Sequence, residues 1–330
     1  MRSMKLIRLA LCVVAVVLVA ASVMAAASPI TLGPPNKYGR AKCCAFVMDN
    51  KIWLVGGQGD KKVNVGIVPI EVFDLKTNTW TTLGPNSCPP AGYSSQIFAV
   101  RGKIYCLAGK YYNPADRNYK AFVFDPKTES WDELPGQATM NHYDGAGAVV
   151  GTKIYLFGGE DETLKNEGFD YAKNVDVYDT RTGKWSTMAP QPNPRQDAWA
   201  LAVGSKVYII AGQGANKDDA TTRSIEIFDT RTNTWSAGKD LDFEWEVPRI
   251  VMVKDKAYIL TGKGEGSSLI VQFDPKTFAC KVAKTALKTL RNEGSVVEYK
   301  GKIYVIAGKN MDGKFETSME IYDPALDTFE

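Results

Sequence analysis

The chain has 330 residues, 45% of them apolar and 23% charged, with a formal net charge of +3. Three basic residues (Arg2, Lys5 and Arg8) fall in the first 27 positions, and the remainder carries 37 basic and 37 acidic residues. That balance gives no sign of the strongly basic face that nucleic acid or an anionic membrane requires, so neither partner is expected, and the length is enough to bury a core without disulfide staples.

The chain begins with those basic residues. An unbroken apolar run follows from Leu9 to Ala21, then Ala25-Ala26-Ala27 before Ser28-Pro29. Basic, apolar and small residues in that order are the form of a secretory signal, with cleavage after Ala27. The run is shorter than the roughly 20 residues of a spanning helix, so cleavage is expected rather than anchoring. The expectation is an exported protein, periplasmic or extracellular, with a mature domain at 28–330 and no membrane attachment. Cys12 leaves with the signal. Cys43, Cys44, Cys88, Cys106 and Cys280 are odd in number and lack metal-ligand spacing, so they read as small buried apolar side chains. The alternative in an exported chain is one disulfide involving Cys88.

Beyond the signal, Pro29-Ile30-Thr31-Leu32-Gly33-Pro34 matches Trp80-Thr81-Thr82-Leu83-Gly84-Pro85 in its later positions. A pattern then recurs six times: an apolar strand ending in Asp, a polar turn, and an aromatic. The copies are Val72-Phe73-Asp74 to Trp80, Val123-Phe124-Asp125 to Trp131, Val177-Tyr178-Asp179 to Trp185, Ile227-Phe228-Asp229 to Trp235, Gln272-Phe273-Asp274 to Cys280 and Ile321-Tyr322-Asp323 to Phe329. The aspartates are 51, 54, 50, 45 and 49 residues apart. A repeat of this length is an array of one supersecondary unit. The best-formed unit runs over 151–188. A turn at Thr152-Lys153 leads into Ile154-Tyr155-Leu156-Phe157, which ends at Gly158-Gly159. A polar loop precedes Val175-Asp176-Val177-Tyr178, and Lys184-Trp185-Ser186-Thr187 is outermost. With the small apolar stretch Ala146-Gly147-Ala148-Val149-Val150 in front, this is a four-stranded antiparallel sheet. The Asp is placed to accept backbone N–H groups of its turn, and the Trp offers a large apolar area to the next sheet.

Gly-Gly after a strand, followed by Tyr/Phe-Asp-x-x-Thr-x-x-Trp, resembles the kelch repeat, and the resemblance covers residue 29 to the C-terminus. Gly-Gly is intact at Gly56-Gly57 and Gly158-Gly159 and becomes Ala-Gly or Thr-Gly elsewhere. Cys280 replaces the Trp of the fifth copy, which predicts looser packing there. The resemblance implies an all-β fold, a six-bladed β-propeller of four-stranded antiparallel blades around a channel. The chain stops at Asp327-Thr328-Phe329-Glu330, where a last outer strand has scarcely begun. The N-terminal segment is therefore expected to close the ring and cover an exposed edge. Deleting 28–36 should then cost far more stability than its size suggests.

Strand direction brings the loops after each Gly and the lead-ins to each inner strand to one face. Aligning the six copies places Arg40, Gly92, His142, Arg195, Trp245 and Arg291 at one position, and Lys42, Ser94, Asp144, Asp197, Val247 and Glu293 two residues on. Between them lie Tyr93, Tyr143, Gln196, Glu246 and Asn292, while Arg249 falls out of register. Fixed guanidinium groups among carboxylates and tyrosine suit a carboxylate or polyhydroxylated ligand. Arg40, Lys42, Tyr143, Arg195, Asp197 and Arg291 are the candidate ligand contacts. In kelch repeats an Arg at this position also pairs with neighbouring acids to hold a blade together, and that is the alternative for each. The loops Gly109–Tyr119 and Glu160–Lys173 would wall the site.

His142 is the single histidine, so a copper site like that of galactose oxidase, which needs two, is not available. No metal and no cofactor is expected. His142, Asp144 and Glu293 are the candidates for proton transfer. The family resemblance implies a binding scaffold for a protein or glycan at the loop face. The alternative is a carbohydrate enzyme similar to the N-acetylneuraminate epimerases, with an Arg on the sugar carboxylate and an acid moving the proton.

Overall fold

The computed structural model describes residues 28–59, 68–90, 94–109, 120–161, 171–214, 223–263 and 269–329. Six four-stranded antiparallel sheets follow one another along the chain as the blades of a propeller. Blade 3 is the pattern: Ala146–Val150 innermost, then Lys153–Phe157, Val175–Asp179 and Lys184–Met188. The second strand of each blade is a continuous apolar run, such as Ile154-Tyr155-Leu156-Phe157, and all four of these residues are buried. A strand covered on one face would alternate; this one is covered on both by the neighbouring blades. Outer strands do alternate, with Trp185 half-buried and Ser186 exposed.

The core lies between blades. Each of six hydrophobic clusters is built from two adjacent blades; one joins Val175 and Val177 of blade 3 to Ile209 and Phe228 of blade 4. The Trp of a blade meets the aromatic before its Asp, with ring centroids 5.1 Å apart for Phe73–Trp80 and 5.0 Å for Phe228–Trp235. In blades 1, 2 and 4 its indole N–H reaches the linker that leads into its own blade: Trp80 Nε1 to Pro34 O at 2.9 Å, Trp131 to Ser87 O at 3.0 Å and Trp235 to Ala189 O at 3.0 Å, whereas Trp185 Nε1 of blade 3 is buried without a partner. The aspartates cap their turns as expected, for instance Asp74 Oδ1 accepting from Lys76 N and Thr77 N.

Three features refine the sequence reading. The ring is closed by the N-terminal strand, for Ile30–Gly33 is the outermost strand of blade 6, antiparallel to Met319–Tyr322. Its register is one residue away from the sequence match, since Ile30 faces Tyr322 as Trp80 faces Phe73. The slip carries Ile30 into the core at 3% exposed and leaves Leu32 at 64%. The C-terminal residues form no outer strand: Phe329 pairs with Ala283 on the linker after blade 5 and packs on Tyr258. Blade 5 also replaces its missing Trp. Phe278, in the turn at φ 61°, lies 6.2 Å from Phe273 and 6.5 Å from Tyr208 of blade 4. The five cysteines among the described residues are thiols; burial raises Cys43, and Cys44 is pushed up to about 11.

Candidate functional site

Two backbone devices shape the channel mouth. Arg40–Ala41, Arg195–Gln196 and Arg291–Asn292 each pair with the residues after the second Gly of their blade as a two-stranded ribbon. In blade 3, Tyr143 pairs with Glu160 in the same place. The chain then turns into the inner strand through one left-handed residue per blade: Lys42, Ser94, Asp144, Asp197, Val247 and Glu293, all with φ between 50° and 57°. Left-handed backbone costs a non-glycine residue about 1 kcal/mol, and the ring of contacts repays it. Lys42 N donates to Glu293 O at 2.8 Å and Asp197 N to Asp144 O at 2.7 Å, each to the preceding blade. Gly159 N likewise donates to Arg195 O at 2.9 Å, and a Cβ on Gly159 would stand 2.7 Å from the Tyr143 carbonyl.

The three arginines do not line the mouth. Arg40 is 0% exposed and Arg195 and Arg291 2%, and each guanidinium lies against a glutamate of its own blade. The pairs are Arg40–Glu71 at 2.5 Å, Arg195–Glu226 at 2.8 Å and Arg291–Glu320 at 2.7 Å. Other guanidinium N–H groups reach backbone carbonyls, for example Arg291 Nη1 to Ala307 O and Ser318 O, while Arg40 Nε is buried without a partner. Each glutamate also accepts backbone N–H groups from the linker, as Glu320 does from Lys288 and Thr289. His142 occupies the same slot in blade 3 at 0% exposed, with Nδ1 2.8 Å from Gly158 O and Nε2 3.1 Å from Asp176 Oδ2. Both ring nitrogens therefore face acceptors inside a blade, away from any substrate. Blade 5 lacks the pair on both sides, with Val271 at the acid position and Trp245 at the lead-in, and blade 2 has Phe122 at the acid position. The arginines are thus fastenings of the blades, the alternative weighed for them from sequence, and His142 fills the same slot in blade 3, buried where the sequence reading had it at the surface of the mouth.

What faces the channel stands two and four residues further on. Lys42 Nζ lies 3.0 and 3.1 Å from the two oxygens of Asp144, reaching across blade 2. The Asp144, Asp197 and Glu293 charges outweigh burial and hold the Lys42 ammonium above its ordinary range. Burial and the adjacent Asp144 push the Asp197 carboxyl up to about 6. Glu293 pairs with Lys309 at 3.0 Å. Tyr143 sits on the rim, its ring 6.0 Å from Lys42 Nζ. So Lys42, Asp144, Asp197, Glu293 and Tyr143 come together at the mouth.

Below them the channel encloses about 360 Å³, lined by Phe46, Phe98, Trp199 and small inner-strand residues such as Ala146 and Ala148. Arg249, set aside as out of register, is a channel residue: it lies over the Trp199 ring at 5.5 Å and donates through Nε to Gly294 O at 2.7 Å. Its position has a sequence signal, because four blades place a hydrogen-bonding side chain four residues after the lead-in. Gln96 Nε2 donates to Gly145 O, Ser295 Oγ to Cys43 O and Cys44 Sγ to Ser95 O, each to the following blade. Gly92 and Tyr93, and most of the two expected wall loops (110–119 and 162–170), lie outside the described residues. Among those described, no cluster of three His, Cys, Asp or Glu side chains could hold a metal, and no helix is long and apolar enough to cross a membrane.

Comparisons with known proteins agree with this geometry. A KLHDC2/KLHL20/DRC7 Kelch-repeats domain model matches residues 94–243, and a Kelch motif model matches 39–87 and 290–330. Kelch-like protein terF of Aspergillus terreus is 30% identical over 200 residues, 56% of this chain and 42% of that protein. Human Kelch domain-containing protein 3 is 24% identical over 191 residues, 55% of this chain and 49% of that one. Mouse Kelch-like protein 21 is 27% identical over 125 residues, 38% of this chain and 19% of its own length. The chain thus spans less than half the length of these relatives. The solved structure of YjhT superposes with a TM-score of 0.74 at 17% identity, covering 90% of this chain and 99% of that one.

Proposed function

The chain belongs to the kelch-repeat family, and from that premise we propose that it is an exported, non-catalytic binding module that takes a protein ligand on its loop face. Export is read from the basic, apolar and small residues of positions 1–27. Binding rests on the family's common use as an interaction scaffold and on one observation above all: the buried Arg–Glu pairs pin a stiff ribbon at the mouth of blades 1, 4 and 6. A rim held in place before binding loses little conformational entropy on association. Its side chains are amides and charges, including Gln58, Gln196, Gln213 and Lys309, suited to hydrogen bonding with a peptide or glycan surface. The epimerase alternative placed the sugar carboxylate on Arg40, Arg195 or Arg291, and these three are enclosed against glutamates.

The test is affinity capture from the exported fraction with the mature chain. The comparison is a rim variant (Gln58→Arg, Gln213→Arg, Lys309→Glu) and a variant of the opposite face (Lys76→Glu, Arg231→Glu). A protein retained by wild type and the opposite-face variant but lost by the rim variant supports the reading. Equal retention by all three, or no retained protein, overturns it.

A further inference from the structure

The channel beneath the rim holds polar groups that neither the fold nor the rim employs. Ser94 is 6% exposed, lines the channel, and its Oγ is buried with no hydrogen-bond partner; an unsatisfied buried hydroxyl costs about 1–3 kcal/mol and calls for a partner. Arg249 directs Nε and Nη1 at the carbonyls of Gly294, Val247 and Pro248, which leaves Nη2 and the positive charge without a carboxylate within ion-pair distance among the described residues. Asp197, on the neighbouring blade, lines the same channel and has no hydrogen-bond donor among the described residues. Asp144, by contrast, is already clamped by Lys42 through both oxygens. One carboxylate, one guanidinium nitrogen and one hydroxyl therefore stand without a hydrogen-bond partner among the described residues, around a volume of about 360 Å³ walled by Phe46, Phe98 and Trp199. That volume lies at the lower end of small-molecule sites, which combine an apolar lining with a few placed polar groups.

We propose that the channel binds a small zwitterion with an apolar body, of the α-amino acid class. The ligand's carboxylate meets Arg249 Nη2 and its ammonium meets Asp197. The Ser94 hydroxyl is a further acceptor for the ammonium from blade 2, and the apolar body lies against Phe98 and Phe46. Opposite charges on adjacent blades match a molecule whose own charges are two bonds apart. A simple carboxylate would leave Asp197 unanswered, and a simple amine would leave Arg249 so. The groups around Asp197 are Asp144, Lys42, Arg249 and Glu293, and their sum with burial sets its carboxyl at about 6. The ammonium needs the charged carboxylate, so affinity should fall as pH drops through that value. The inference stands apart from the rim partner, because Arg249→Gln lies inside the channel, below the ring of mouth residues, and should leave rim capture unchanged.

The experiment is titration calorimetry on the mature chain with L-phenylalanine and L-leucine. The controls are 3-phenylpropionate (no ammonium), phenethylamine (no carboxylate) and glycine (no apolar body). Binding of phenylalanine or leucine, with each control weaker by about tenfold or more, is expected, since a hydrogen bond to a charged group carries about 1.5–3 kcal/mol. In Asp197→Asn, phenylalanine and 3-phenylpropionate should bind alike; in Arg249→Gln, phenylalanine and phenethylamine should. Arg249→Lys keeps the charge and guards against loss of fold in the glutamine variant. Absence of heat with either amino acid at about 10 mM, or equal affinity for the controls in wild type, overturns the proposal even if no variant folds.

Discussion

Blades 4 and 5 stand side by side and fill one position in opposite ways. In blade 4 it holds Arg195, buried against Glu226, with Gln191 and Asn193 completing the glutamate's bonds. In blade 5 it holds Trp245, 1% exposed and clustered with Val271, which stands where Glu226 does. Ion pair and apolar pair each close the blade, and none of the five blades whose lead-in is described mixes one half with the other. A buried charge pair and a packed apolar pair are close in net stability, whereas half a charge pair is costly. The blades therefore exchange the two members together, and the arginines that look like a ligand ring are internal fastenings. The blades also differ at the Trp position: Trp235 serves blade 4 directly, while blade 5 swings Phe278 in from its turn.

The comparison can be broken most decisively at Arg195. Arg195→Met should cost about 3–5 kcal/mol, because Glu226 is left buried without its countercharge. The double variant Arg195→Met with Glu226→Leu should return to a cost of about 1–3 kcal/mol, what remains being the Gln191 and Asn193 groups that lose the glutamate. Urea midpoints of the two variants decide it; a double variant as unstable as the single one refutes the exchange of pairs. Next in size, Phe278→Ala should cost about 2 kcal/mol, below the usual loss for a fully buried Phe because the ring is half-exposed. An unchanged melting midpoint would mean that blade 5 packs loosely after all.

The smallest effect sharpens the comparison with blade 3, where His142–Asp176 takes the slot. Burial raises the Asp176 carboxyl, but hydrogen bonds from His142 and Thr139 outweigh it and hold it below the usual carboxylate range. A group depressed in the folded state contributes fully above its unfolded value and loses that contribution as pH falls below about 4. The stability gap between wild type and Asp176→Asn should therefore narrow between pH 5 and about pH 3, as followed by urea titration. A gap that stays constant across that interval would show that Asp176 is not stabilised as an ion.

Much of the fold is legible in the chain because the repeat is stated six times. Strand, Gly, Asp turn and aromatic recur at fixed offsets, and each requirement is local. The N-terminal latch is legible for the same reason, although its register slips by one: Ile30 suits the buried slot against Tyr322 better than Pro29 does. The site was harder. Aligning the copies brought Lys42, Asp144, Asp197 and Glu293 to one ring correctly, since every blade turns there through the same left-handed residue. It could not separate them from the arginines two residues earlier. A signal for that was present: an acid three residues before the repeat Asp (Glu71, Asp176, Glu226, Glu320) occurs only in blades with Arg or His at the lead-in. Arg249 was set aside because it falls out of register with the lead-in positions, and the pairing of Glu246–Val253 does shift register on both sides of Arg249.

By itself the sequence determined the architecture, the number of blades and the face on which the lead-ins gather. These follow from periodic, short-range requirements that each copy repeats. Only the tertiary structure decided which charges are satisfied. Whether an arginine answers a ligand or a glutamate depends on a partner 29 to 31 residues away across a blade. Whether Asp144 or Asp197 is left open depends on a lysine 102 residues from Asp144, reaching over the channel. Charge satisfaction is a matter of ångströms in three dimensions, and those distances exist only once the ring has closed.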